Sequence, residues 1–200
     1  MSTSRGIVTG GILGAMPPVV ESLGCLETRS IALGMVAADH MAKAAEVDLM
    51  IAMPTCPGKY LIAVSGQVAA VRASVEAGME PAADSLVDYT VIPSVHPQVV
   101  PAMTAVSDPS LTGAVGILET FSMCASVKAA DEAVKSADVQ LVEIRLGRGL
   151  AGKAFVVLTG HVAAVRAAIQ AAVTSLQEEA LLIATTVIPS PHPALLEKIL

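Results

Sequence analysis

The hexapeptide PTCPGK, Pro54 to Lys59, sets one cysteine between two prolines and follows it with a glycine and a lysine. A thiolate at Cys56 is a nucleophile or a soft metal ligand. Metal chemistry gathers several donors at one point, yet Cys25 and Cys124, the remaining cysteines, make no tight pair with it. Pro57 fixes its own φ and biases Cys56 toward extended backbone, and Gly58 permits a sharp turn behind them. Lys59 has two readings, a cation favouring the thiolate or a strand-start residue that points away. Arg148, between Gly147 and Gly149, reads as a cation that attracts anions or as a solvated loop charge. Glu27 and Glu119 follow similar Leu-Glu-Thr strands, and such repetition indicates structural hydrogen bonding more than an acid pair. His40 and His161 have no cysteine or carboxylate at ligand spacing. No nucleophile–base pair, phosphate-cradling glycine loop or paired catalytic carboxylate emerges, so an enzyme is the least supported class.

The elements that position these residues occur twice. LGCLETRS, from Leu23, returns as VGILETFS, from Val115, with five of eight positions identical. SGQVAAVRA, from Ser65, returns as TGHVAAVRA, from Thr159, with seven of nine, and TVIPSVHP, from Thr90, as TVIPSPHP, from Thr186, with seven of eight. Three matches in one order establish a duplication. The offset grows from 92 at Thr28/Thr120 to 94 at Gly66/Gly160 and 96 at Pro93/Pro189. The first change falls between Val47 and Gly58, so the loop carrying Cys56 is itself where the copies differ.

Each copy has the same punctuation. In the first, Leu23 to Glu27 alternates as a strand, and Ser30 N-caps a helix expected to reach about Ala45. Val47 to Met53 and Tyr60 to Val64 are strand-length apolar runs on either side of the Pro-Cys-Pro-Gly turn. Val68, Val71 and Val75 recur at helical spacing, and Gly78 is expected to stop that helix. Leu86 to Ile92 reads as a fourth strand, followed by a short helix in HPQVVPAM. The order β-α-β-β-α-β is ferredoxin-like, and the fold class is α+β with two tandem modules. The polar stretch TAVSDPSLTG, Thr104 to Gly113, connects them.

Composition narrows the partners. The net charge of −6 and pI near 5.1 oppose a general nucleic-acid binder, and 2% aromatic residues leave few stacking platforms. Mean hydropathy is +0.67, but no apolar run approaches the roughly 18 to 20 residues that span a bilayer. A large apolar area buried between subunits accounts for the hydropathy, and no membrane partner is expected. The first 22 residues have one Arg and an apolar middle broken by Gly10, Gly11 and Gly14. They read as an arm rather than a secretory signal. The odd cysteine set suits a reducing cytosol. Cys25 and Cys124, in a strand and at a helix start, read as small buried hydrophobes.

LETRSIALGMVAADHMAKAAEV, PGKYLIAVSGQVAAVRASVEAG and VIPSPHP resemble bacterial microcompartment shell proteins, and the likeness runs from Leu23 to nearly Leu200. Two copies per chain point to the tandem-domain subfamily. The resemblance implies residues 1–22 as an extension, 23–104 as the first shell module, 105–113 as a linker and 114–200 as the second module. It further implies a homotrimer, a flat pseudo-hexamer in the shell of a compartment in the bacterial cytoplasm, tiled with hexamers and other trimers. Such a ring closes by heterologous contacts. Lys43 and Lys135 occupy the family's edge-lysine position, and His96 and His192 the histidine position of its IPRPH turn, where they are expected to make edge or capping hydrogen bonds. Ser94 and Ser190 stand where the family often has arginine. Tile-to-tile contacts are then weaker or differently made.

In the family the turn between the second and third strands lines a central pore. This implies Thr55, Cys56, Pro57 and Gly58 from the first copy, and Gly147, Arg148 and Gly149 from the second. A subclass resembling the tandem shell protein of propanediol-utilisation compartments has the same CPGK loop and holds a 4Fe-4S cluster on the threefold axis. One cluster per trimer on three Cys56 thiolates is implied, with one iron left for an outside ligand. Electron relay, cluster transfer and an encapsulated redox enzyme as partner follow from that reading. Three alternatives stand beside it: a metal-free selective pore, another metal such as zinc, and a ferredoxin-like metabolite-binding regulator.

Overall fold

The computed structural model describes residues 20–107, 113–147, 149–176 and 181–199. The first module runs β1 (Ser22–Thr28), α1 (Ile31–Ala44), β2 (Asp48–Thr55), β3 (Lys59–Gly66), α2 (Val68–Ala82), β4 (Leu86–Pro93) and α3 (Val99–Met103). The second repeats it as β5 (Ala114–Thr120), α4 (Met123–Ser136), β6 (Val139–Leu146), β7 (Ala154–Gly160), α5 (Val162–Leu176), β8 (Leu182–Ile188) and α6 (Pro193–Ile199). Two antiparallel sheets result, ordered β2-β3-β1-β4 and β6-β7-β5-β8. The α+β, twice-repeated ferredoxin-like arrangement is the one the sequence implies.

Local chemistry explains the repeated starts. The Ser30 hydroxyl accepts the Leu33 amide at 3.3 Å and the Ser122 hydroxyl the Ala125 amide at 3.1 Å, so each first helix is N-capped. Thr28 and Thr120 donate to the carbonyls of Ser30 and Ser122, at 2.8 and 2.6 Å, which fixes the strand-to-helix corner. One expectation is corrected. α2 runs through Gly78 to Ala82 rather than stopping there. Gly78 is buried, and a Cβ on it would lie 2.5 Å from Met41 Cγ, so the glycine serves the close crossing of α1 and α2.

Burial divides the two sheets. On the first, Leu26, Ile62 and Val64 pack beneath α1 and α2 with Met41, Val71 and Val75. The alternate residues Leu23, Cys25, Leu61 and Ala63 join a second core with Met123, Cys124, Val127 and Ala130 of α4. The first sheet is thus covered on both faces, by its own helices and by the second module. On the second sheet, Leu118 packs with Val165 and Ile169 of α5, while on the opposite face the described residues form a small cluster of Val115, Val142 and Val157, with Ile117, Phe155 and Leu196 of α6 against it.

Candidate functional site

Cys56 sits at the tip of the β2–β3 hairpin and is exposed. The Gly58 amide donates to Thr55 O at 2.9 Å, and Gly58 has φ +102°, a left-handed conformation that suits glycine. The second module holds the hairpin from the side. The Cys56 amide donates to Gly147 O at 3.1 Å. Gly147, with φ +66°, lets the chains meet: a Cβ there would stand 2.8 Å from Met123 Sδ and 3.1 Å from Thr55 Cβ. Thr55 is buried, and its hydroxyl is the one buried side-chain polar atom without a hydrogen-bond partner among the described residues.

Lys59 takes the second of its two readings. Its ammonium donates to Glu27 Oε1 at 2.6 Å, Gly152 O at 2.9 Å and Phe121 O at 3.0 Å. All three ammonium hydrogens are thereby used. Glu27 has no exposed surface, and its other oxygen accepts the Met123 amide at 2.7 Å, at the start of α4. A carboxylate at a helix N-terminus and a cation at the carboxylate make each tolerable in an apolar seam. The repeated Glu27 and Glu119 are therefore structural in the first copy, as their equivalence suggests. Sequence reasoning missed the pairing of Glu27 with Lys59. The signal was available, because both residues recur at equivalent positions as Glu119 on β5 and Lys153 just before β7.

Further polar contacts cross the same seam. Asp88 accepts the Ser122 hydroxyl and, through its carbonyl, the Cys124 thiol at 3.7 Å. Gln98 Oε1 accepts the Leu141 amide at 2.8 Å. Cys25 and Cys124 are fully buried there, as expected of small hydrophobes. Burial, then Asp88 and Glu27, push the Cys25 thiol up to about 12. Burial foremost, with Cys25, Glu27 and Asp88 adding, raises Cys124 in the same direction against a lowering by Lys59. Both stay protonated at neutral pH, which leaves Cys56 as the accessible thiol.

The remaining candidates are dispersed. Lys43 is exposed and pairs with Asp39 at 2.6 Å, whereas Lys135 is half-buried and pairs with buried Asp131. Asp131 Oδ1 also accepts the His96 backbone amide at 2.8 Å, so Lys135 lies where the two modules meet. The His96 imidazole accepts the Gln98 amide at 3.4 Å and that of His192 the Ala194 amide at 3.2 Å, both as local caps. Pro57 and Gly149 are exposed, Gly149 with φ +72° and no neighbouring atom within 4 Å of a Cβ position. Arg148 lies outside the described residues. A cleft of about 470 Å³ between the modules is lined by Ile51, Met53, Met103, Glu143, Arg145 and Leu146, with Arg145 tied to Glu143 at 2.6 Å. No group of three His, Cys, Asp or Glu residues able to hold a metal forms within one chain, among the described residues.

This doubled architecture has known counterparts. Residues 22–95 and 114–191 each match the BMC domain. The chain belongs to the bacterial microcompartment (BMC) shell protein family. It is 41% identical to the bacterial microcompartment shell protein PduT of Citrobacter freundii over 175 residues, covering 88% of this chain and 95% of that one. The crystal structure of a microcompartment protein from Desulfitobacterium hafniense superposes with a TM-score of 0.80 at 49% identity, over 89% of this chain and 99% of the other. The carboxysome assembly protein CcmO of Synechococcus elongatus is 30% identical over 92% of this chain and 71% of its own length. Membership makes the chain a tandem BMC-domain tile, located in the shell of a cytoplasmic microcompartment.

Proposed function

We propose that three copies of this chain close head to tail into a pseudo-hexameric tile, and that the three Cys56 thiolates converge on its axis to hold one 4Fe-4S cluster. The observation that carries the ring is an unequal pair of equivalent surfaces. Met123, Ala125 and Val127 of α4 are buried on the first sheet, while their counterparts Ile31, Leu33 and Met35 of α1 stand exposed. Among the described residues, the face of β5 and β8 that would match such a helix carries Leu196 of the short α6 and no α-helix comparable to α4. Joining α1 of one copy to that face of the next repeats the internal seam, and three repeats close the ring. Residues 23–104 and 114–200 are then the alternating wedges, 105–113 the connector between them, and 1–22 an added arm.

Cys56 fits a shared metal site on the chemistry of its loop. It is exposed at a hairpin tip, anchored through its own amide, and the described residues of one chain alone lack a donor set. The orphaned Thr55 hydroxyl beside it supplies a further polar atom directed at no protein partner. Pro57 and Gly58 limit the loop entropy lost when three thiols converge. Three thiolates leave one iron of a 4Fe-4S cluster to an exogenous ligand, and such a centre carries single electrons. Electron relay to an encapsulated redox enzyme, or cluster transfer across the wall, is the function this supports. PduT, the relative named above, is a shell protein, and partner hexamers and other trimers follow for this chain by the same reasoning. The role is structural and conductive rather than enzymatic.

Anaerobic purification, an absorption spectrum and an iron count test the reading. A trimer with broad absorption near 400 nm and about four irons per three chains is expected. Cys56→Ser should lose colour and iron while remaining trimeric. A colourless wild type after anaerobic reconstitution overturns the cluster. In that case the second reading stands, a metal-free pore whose opening is shaped by Gly58, Gly147, Arg148 and Gly149. It is favoured by the open space around Gly58 and Gly149.

A further inference from the structure

We infer that Lys153 and Glu119 reach out of each copy to complete the Cys56 hairpin of its neighbour, so that the thiol loop is clamped in trans as well as in cis. This rests on the ring proposed above. Within one chain the clamp is fully visible: Glu27 takes the amide that heads α4, and Lys59 takes the carbonyls of Phe121 and Gly152. The strand register makes Glu119 the counterpart of Glu27 and Lys153 that of Lys59, since Thr28 pairs with Tyr60 as Thr120 pairs with Ala154. By the same register Ile31 answers to Met123, Arg29 to Phe121, and Gly58 to Gly152.

The counterpart groups are poised but unfinished. Lys153 Nζ stands 3.6 Å from Glu119 Oε2, with side chains 46% and 40% exposed, against 2.6 Å and 16% and 0% for Lys59 and Glu27. The receiving end is equally open. A Cβ on Gly152 would meet Pro57 Cδ at 2.9 Å and Lys59 Cε at 3.3 Å, whereas one on Gly58 would meet nothing within 4 Å. Gly152 and Gly58 share a left-handed backbone, φ +87° and +102°, so the two carbonyls are presented alike. Seating Lys153 of one copy on Gly58 O of the next, with Glu119 on the Ile31 amide, fills the vacancies on both sides.

The second face also has fewer polar groups around this pair. Asp88 and Gln98, which make polar contacts across the internal seam, are replaced at the equivalent positions by Ala184 and Ala194. Glu119 and Lys153 persist, as do Asp39 and Lys43 at the positions of Asp131 and Lys135. Three Lys153–Glu119 pairs would therefore lie beside Pro57 in each thiol loop, holding its backbone without adding net charge at the axis.

The test co-expresses two full-length copies with different tags. One carries Cys56→Ser and keeps Lys153; the other carries Lys153→Arg and keeps Cys56. In the purified mixed trimer, stripped of metal and reduced, a short amine-to-thiol cross-linker can join Cys56 to Lys153 only between copies. A two-chain product with that linkage, mapped by peptide mass, is expected. Alongside it, Lys153→Glu should self-associate at least about tenfold more weakly by sedimentation velocity, and Lys153→Arg close to wild type. A mixed trimer whose Cys56 links to Lys59 but never to Lys153, or a Lys153→Glu chain that assembles normally, overturns the trans clamp and leaves the ring intact. A wild-type chain that never forms trimers overturns the ring itself, and the clamp with it.

Discussion

Glu27 with Lys59 and Glu119 with Lys153 are the same two residue types at equivalent positions of the two modules, Lys59 opening β3 and Lys153 just before β7, and they lead different lives. The first pair is desolvated, 2.6 Å apart, and bonded to the head of α4; the second is 3.6 Å apart and wet. Nothing intrinsic to the strands separates them. The difference is what lies on top: α4 covers the first, and among the described residues no comparable helix of the same chain covers the second. Burial of a charge is here a property of assembly, and an unfinished copy shows where the next surface belongs.

The largest effect comes from breaking the finished member. Glu27→Leu strands the Lys59 ammonium in an apolar seam with only two carbonyls and frees the Met123 amide, and a broken buried pair costs about 3–5 kcal/mol. Glu119→Leu, in a pair already screened by water, should cost within about 1 kcal/mol of intrachain stability. Denaturant unfolding at fixed, dilute protein concentration reads both, because assembly would otherwise add to the second. Equal losses for the two variants would mean that the pairs are equally buried in solution, and the contrast drawn here would fail.

A second contrast lies between two glycines of one loop. Gly147 and Gly149 both have positive φ, and alanine pays roughly 1–2 kcal/mol for that conformation at either site. At Gly147 the new methyl would also press on Met123 Sδ and Thr55, so Gly147→Ala should cost about 1–3 kcal/mol more through overpacking. Gly149→Ala meets open space. The same denaturation measurement should rank Gly147→Ala as the less stable variant, and the reverse order would refute the close packing of the hairpin on the second module.

Much of this was legible in the sequence because the duplication samples each element twice. The strand order, the Ser30 cap and the exposed Cys56 turn follow from alternation, cap chemistry and the Pro-Gly frame. Gly78 was misread because a glycine that ends a helix and one that admits a neighbouring helix look alike until Met41 is placed beside it. The aim of Lys59 was undecidable for a similar reason, its acceptors lying 32 residues back and 62 and 93 residues ahead. Lys43 and Lys135 are equivalent in sequence yet 73% and 33% exposed, since only the second is covered by the neighbouring module's turn. Local pattern encodes the module, and the seam appears only when two modules meet.

The smallest effect separates the buried thiols of the seam from the solvent, and it acts through pH. With its pKa pushed up to about 12, Cys25 keeps its proton in the folded chain while the unfolded chain releases it near the ordinary thiol value of about 8.5. Below that value both states are protonated and no stability is lost. Above it the unfolded state alone gains charge, so folding weakens by about 1.4 kcal/mol per pH unit for Cys25, up to its folded pKa. Cys124 adds to the slope with the same sign. Denaturation midpoints measured between about pH 8 and 9, below the ordinary lysine and tyrosine values of about 10, should therefore fall with rising pH, and Cys25→Ala should flatten the decline. An unchanged slope in that variant would place Cys25 in contact with water, and with it the seam that separates the finished copy from the unfinished one.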